Sequence, residues 1–164
     1  NLAPERISTF PDSPTYGKTI SYPNESQVFS ILKLENGIAG TLSVNGDSTI
    51  QDQAHFMIYG KKGILKLSDP NTFGGDVIYL PAQKDFKDHP APQILNYGFS
   101  YSENSRGLGP SEMADAIFEK RTNRANAELA VHVLDVIDHM VESSEKCAFV
   151  QVDSTCTRPE PMPL

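Results

Sequence analysis

The residues best suited to chemistry lie towards the C-terminal end of the chain. Glu128, His132, Asp135, His139 and Glu142 follow one another at steps of 4, 3, 4 and 3. That spacing puts all five on one side of an α-helix. Carboxylates and imidazoles together are the donors a divalent metal such as zinc takes. A solvated or subunit-facing polar stripe explains the same pattern without a metal and is its commoner origin. A second candidate is "NSRGLGPSEMADAI", residues 104–117, where Gly107 and Gly109 precede a helical pattern. Glycines ahead of a helix can cradle a phosphate on free N–H groups. A dinucleotide fingerprint needs a third glycine after a buried strand. Here that position is Glu112, whose carboxylate repels a phosphate, and the preceding "FSYSENS" is too polar for such a strand. A P-loop fails too, because no Lys-Ser or Lys-Thr follows. The stretch therefore reads as a helix entrance. Pro110 fits the first turn, where its missing N–H costs nothing, and Ser111, Glu112 and Asp115 suit the positive helix end. Arg106 is left over, to pair with a local carboxylate or to reach an anionic or hydroxyl-rich ligand. Arg124 reads as a structural ion-pair partner. Cys147 and Cys156 are too few for a disulfide scaffold, and no context that would depress a thiol pKa marks them as a redox pair. Both read as reduced.

The elements that position these residues follow from periodicity. Residues 1–26 carry Pro4, Pro11, Pro14 and Pro23 among polar residues, which predicts a linker or an extended edge segment. "QVFSILKL" (27–34) and "IAGTLSV" (38–44) read as strands joined by "ENG", with Asn36-Gly37 supplying positive φ. In the second of these, Ile38, Leu42 and Val44 share one face. Ala39, Thr41 and Ser43 share the other, small and polar, suited to close packing or to a ligand cleft. "HFMIYG" (55–60) turns through Gly60 and Gly63 into "ILKLS" (64–68), and "DVIYLP" (76–81) is a further strand. Residues 82–105 read as mostly loop, with an edge strand near 94–99. Two helices follow, from about 110 to 120 and from about 125 to 144. Met113, Ala114, Ile117 and Phe118 form the apolar stripe of the first. Leu129, Val133, Val136, Ile137 and Met140 form the buried face of the second, opposite the polar stripe above. "AFVQVDS" (148–154) alternates as a last strand before a proline-rich tail. Hairpin-linked strands followed by helices predict an α+β fold: an open, mostly antiparallel sheet with helices packed on one side.

Bulk properties narrow the function. The chain has 164 residues and a formal net charge of -7, so one domain is expected and no basic surface is available for nucleic acid or anionic membranes. No apolar run is long enough for a transmembrane helix, and no signal segment opens the chain. A cytoplasmic protein is the expectation. The first residue is Asn1 rather than methionine, as in a fragment of a longer protein or a processed one.

Three stretches carry a resemblance. "LENGIAGTLSV", "FMIYGKKGILKL" and the run from "RGLGPSEMADAI" through "NRANAELAVHVLDV" to "STCTRP" resemble the C-terminal domain of Gfo/Idh/MocA-type oxidoreductases, over about residue 27 to the end. The resemblance implies a substrate-binding and oligomerisation domain, residues 27–164, of an NAD(P)-dependent dehydrogenase of a sugar, inositol or related polyol. It implies an N-terminal Rossmann domain that binds NAD or NADP in the full-length protein, and homo-oligomers built through one sheet face. The family's glycine fingerprint and its Glu-Lys-Pro lysine have no match here, and its catalytic Asp-x-x-x-His helix, which lies upstream of the first strands, is absent too. The expectation is a catalytically silent fragment that binds no cofactor by itself. Substrate contacts in related enzymes come from the segment that is "NGDSTIQDQAH" here, so Asn45, Asp52, Gln53 and His55 are substrate-binding candidates together with Arg106. An ordinary exposed loop is the plain alternative for that segment. A stand-alone, non-catalytic binding or assembly module is the alternative for the chain.

Overall fold

A computed structural model describes residues 5–21, 24–46, 56–95, 101, 103 and 105–162. The chain forms two compact units, Asn1–Asp52 and Gln53–Leu164.

The first unit holds two antiparallel ribbons. β1 (Glu5–Ile7) pairs with β2 (Thr19–Ser21), with Arg6 opposite Ile20. The proline-rich start is thus a hairpin and not merely an extended segment. Pro11 and Pro14 fall in the turn between the strands, where no ladder N–H is needed. Side chains close that turn: Thr15 Oγ1 donates to Ser8 Oγ at 3.2 Å, and Gly17 N–H reaches the Ser8 carbonyl at 2.9 Å. β3 (Gln27–Lys33) pairs with β4 (Ala39–Asn45), Phe29 opposite Ser43 and Ile31 opposite Thr41. At the turn only Gly37 has positive φ, +82°. Leu34 N–H bonds the Ile38 carbonyl, and Ile38 N–H bonds Asn36 Oδ1. The loop is therefore the three residues of "ENG" with a left-handed glycine at its end, and Asn36 does not take positive φ. Arg6 Nη1 donates to the Gly46 carbonyl at 2.5 Å, tying one ribbon to the end of the other.

The second unit holds a four-stranded sheet in chain order: β5 (Phe56–Gly60), β6 (Gly63–Leu67), β7 (Val77–Pro81) and β8 (Gln93–Leu95). Among the described residues every strand pairing is antiparallel. Gly60 sits opposite Gly63 across a two-residue turn. A Cβ at Gly63 would lie 2.2 Å from the Leu80 carbonyl oxygen, so only glycine lets β7 approach here.

Two helices follow, α1 (Leu108–Glu119) and α2 (Ala127–Lys146). Asn126 caps α2: its Oδ1 accepts the Leu129 N–H at 2.9 Å, with Glu128 in the first turn and Lys146 in the last to match the helix dipole. Both helices end on a non-glycine residue in the left-handed region, Lys120 and Cys147. Arg121 N–H then reaches the Ala116 carbonyl, and Ala148 N–H the Ser143 carbonyl. Residues 148–154, expected as a strand, pair with no strand among the described residues, and Ser154 at their end bonds Asp135 of α2. The class is α+β, with antiparallel sheets and two helices.

Candidate functional site

Arg106 stands two residues before α1 and is exposed. Its Nη2 donates to Asn71 Oδ1 at 2.8 Å. Asn71 belongs to "DPNTFGG" in the β6–β7 loop, which holds itself in shape. Ser68 Oγ donates to the Gly74 carbonyl at 2.7 Å, Asn71 N–H to Asp69 Oδ1 at 2.8 Å, and Thr72 Oγ1 to the Asp69 carbonyl at 3.0 Å. Gly75 has φ +107°, and a Cβ there would come 2.5 Å from that of Ser68. A rigid loop thus aims one amide at Arg106. Guanidinium only donates, so Oδ1 must face it and Asn71 Nδ2 is left as a second outward donor. Sequence reasoning found Arg106 and missed Asn71. The Asp-Pro-Asn and Gly-Gly punctuation marks the turn, but the pairing spans 35 residues and leaves no local pattern.

Asn45 ends β4 opposite Gln27 and is exposed. The register puts it on the strand face of Ala39, Thr41 and Ser43, across from Phe29, 72 % exposed, and Ile31, 63 % exposed. That face is exposed, and across the ribbon it is apolar rather than small and polar. Asp52, Gln53 and His55 lie outside the described residues. Asn45 belongs to the first unit and Arg106 to the second.

The glycine stretch is a helix entrance. Gly107 has φ -73° and ψ -10°, an ordinary helical conformation, and a Cβ at Gly107 or Gly109 would meet nothing within 4 Å. Neither glycine is needed for a sharp turn or a close approach. Glu112, in the position of the third fingerprint glycine, points into cover instead. Its Oε1 accepts from Arg121 Nη1 at 2.5 Å and from Arg124 Nη1 at 2.7 Å, and its Oε2 from Arg124 N–H at 3.0 Å. The hydrogen bond from Arg121 is the main reason its carboxyl is held below the ordinary range, and the same contact holds Arg121 up. Arg124 also donates from Nε to the Glu160 carbonyl at 2.9 Å and from Nη2 to that of Pro161 at 3.1 Å. It is the expected structural ion-pair residue, and it joins α1, the start of α2 and the tail.

Around this cluster the covered face of α1 differs from the apolar stripe read from the sequence. Leu108, Glu112 and Ala116, four apart, are its buried residues, whereas Met113, Ile117 and Phe118 are exposed.

The polar stripe of α2 is likewise in use. Ser154 N–H donates to Asp135 Oδ2 at 2.9 Å, Ser154 Oγ lies 2.9 Å from His132 Nδ1, and Thr157 N–H donates to Glu128 Oε1 at 2.9 Å. Three of the side chains that looked metal-like, Glu128, His132 and Asp135, therefore hold residues 154–157 as a strap. The Ser154 hydroxyl, then its N–H, keeps the Asp135 carboxyl below its ordinary range. His139 Nδ1 lies 2.8 Å from the Asp135 carbonyl. That contact raises its pKa, aided by the charges of Asp135, Glu142 and Asp153 and opposed by partial burial. Among the described residues no group of three His, Cys, Asp or Glu converges as a metal requires. Cys147 and Cys156 are both free thiols.

Among the described residues no helix is long and apolar enough to cross a membrane. No curated protein matches the chain. A family model described as "Oxidoreductase family, C-terminal alpha/beta domain" matches residues 5–152. That span takes in the β1–β2 ribbon, every sheet strand and both helices, and so begins earlier than the resemblance read from the sequence. Antiparallel sheets followed by two helices fit that description. The chain belongs to the Gfo/Idh/MocA oxidoreductase family, as its C-terminal α/β domain.

Proposed function

We propose that this domain binds the substrate of an NAD(P)-dependent dehydrogenase acting on a sugar, inositol or related polyol, and that it assembles the enzyme into homo-oligomers. The observation that carries the reading, beyond family membership, is the exposed donor pair of Arg106 and Asn71, preset by a rigid loop. Sugar hydroxyls are recognised by such fixed donors. Hydride transfer also needs a base beside the reacting alcohol and a nicotinamide face. The only Gly-x-Gly in the chain opens a helix whose fingerprint position is the ion-paired Glu112. These residues do not fit a dinucleotide, so the cofactor and the proton-transfer groups belong to a Rossmann domain. The isolated chain is catalytically silent. Assembly is supported by one face of the four-stranded sheet, where Phe56 and Ile58 stand half exposed opposite Leu67 and Leu65.

Isothermal titration of the 164-residue chain tests this division. Sorbitol evolves binding heat and NAD evolves none. Micromolar affinity for NAD overturns the assignment, and a strictly monomeric sedimentation profile at high concentration overturns the assembly role. If sorbitol evolves no heat while the chain still self-associates, a purely structural assembly module is the better description.

A further inference from the structure

Two arginines beside the helices are held by carboxylates, and so is the last lysine of α2. Arg121 and Arg124 both bind Glu112, and Lys146 binds Glu142. Arg106 is treated differently. Its only partner among the described residues is the neutral amide of Asn71. An amide orients a guanidinium without cancelling its charge. It occupies one donor and leaves the others, with the full positive charge, facing solvent. The chain as a whole carries a formal net charge of -7, so an anionic ligand gains from a local cation held in place. A neutral polyol needs donors but no uncompensated cation. A ligand bearing an anion needs both.

From this we infer that the pair reads an anionic oxygen group, carboxylate or phosphate, on the polyol substrate. Arg106 supplies the charge and its planar fork of N–H donors, and Asn71 is the residue that aims it and adds Nδ2 as a further donor. The inference rests on the polyol reading above and narrows the substrate to an acidic sugar or a sugar phosphate. Asn71 is a specificity-determining residue in this scheme, and the self-bonded loop of residues 68–75 is the platform that fixes it.

The test compares three probes of one carbon skeleton: gluconate, sorbitol phosphate and sorbitol. Each is titrated into the 164-residue chain, with affinity read by calorimetry and location by backbone amide shifts. At least one anionic probe binds roughly ten- to a hundredfold tighter than sorbitol and shifts the amides of residues 69–75 and 106–109. Preference for gluconate assigns a carboxylate, and preference for sorbitol phosphate a phosphate. Asn71→Asp is the decisive variant. It keeps an acceptor for Arg106 and therefore the local fold, but it neutralises the cation. The preference for the anionic probe disappears while the thermal midpoint stays as in the wild type, and sorbitol, which loses only a neutral donor, weakens far less than the anionic probe does. Arg106→Gln, in an exposed position, does the same. Equal affinity for all three probes, or an anion preference that survives N71D, overturns the inference and leaves the polyol reading standing. Binding of none of the three overturns both.

Discussion

Gly63→Ala tests how the platform that holds Asn71 is built. The β6–β7 loop holds Asn71, and its geometry depends on how closely β7 lies against β6. A Cβ at Gly63 would sit 2.2 Å from the Leu80 carbonyl oxygen, 2.8 Å from Tyr79 Cε2 and 3.1 Å from the Ala82 nitrogen. Contacts below 3.0 Å are essentially never made by Cβ atoms, so β7 must retreat by about 0.8 Å or more. The nearest obstacle is backbone and cannot rotate away. Gly63 also has φ +147°, a conformation that alanine resists. Backbone strain of about 1–3 kcal/mol and overpacking of a similar size together cost roughly 2–6 kcal/mol. That is a large share of an ordinary domain's stability. Gly60→Ala is the control. Its Cβ would make an ordinary 3.5 Å contact and its φ is not positive. The chain has no tryptophan, so urea unfolding is followed by far-ultraviolet circular dichroism. Gly63→Ala lowers the midpoint strongly and Gly60→Ala barely moves it. A Gly63→Ala chain within about 0.5 kcal/mol of wild type, or equal losses at both glycines, refutes the close-approach argument.

Gly109→Ala fills open space in the first turn of α1 and raises stability by about 0.5–1 kcal/mol in the same unfolding assay; destabilisation would show that the glycine serves something beyond the helix. Glu112 has a depressed carboxyl, so its contribution is present above the ordinary carboxylate range and is lost as pH falls through its lower folded value. Acid titration of the helical signal shows a transition that Glu112→Gln removes. His139 has a raised pKa, so its contribution is complete below the ordinary imidazole value of 6.5 and is lost as pH rises through the higher folded value. Thermal midpoints of wild type fall from about pH 6 to pH 8 relative to His139→Gln; parallel midpoints contradict that sign.

Much of the fold is legible in the residues because its signals are local. Alternation places the strands of residues 27–45 and 56–67 within a residue or two, and helical spacing places α1 and α2 equally well. The proline-rich start misleads because density alone says nothing about position: Pro11 and Pro14 sit in a turn, where proline is harmless. The site is legible only in part. Arg106 stands out as a cation left over at the helix entrance, but Asn71 reaches it through tertiary structure. The covered face of α1 is misread for a related reason. Periodicity shows which residues share a face, not which face finds a partner. The face of Leu108, Glu112 and Ala116 is the covered one because Arg121 and Arg124, beyond the end of the helix, bring charge to Glu112.

The same reasoning accounts for a strand that is not one. "AFVQVDS" alternates as a strand should, yet no ladder forms on it among the described residues. Extended backbone still has N–H groups to satisfy. Asp135 accepts that of Ser154 and Glu128 that of Thr157, two residues of one helix face doing for the segment what a neighbouring strand's carbonyls would do. His132 adds the Ser154 hydroxyl, and Arg124 takes the carbonyls of Glu160 and Pro161. Acceptors for N–H groups and donors for carbonyls therefore appear at intervals along one helix and the turn before it. A strap needs that chemistry, and it is also the mixture of carboxylate and imidazole that imitates a metal site when read from spacing alone. The two readings differ in where the side chains converge. A metal draws its ligands to one point, whereas these groups are spread along an extended segment from Ser154 to Pro161, each with its own backbone or hydroxyl partner.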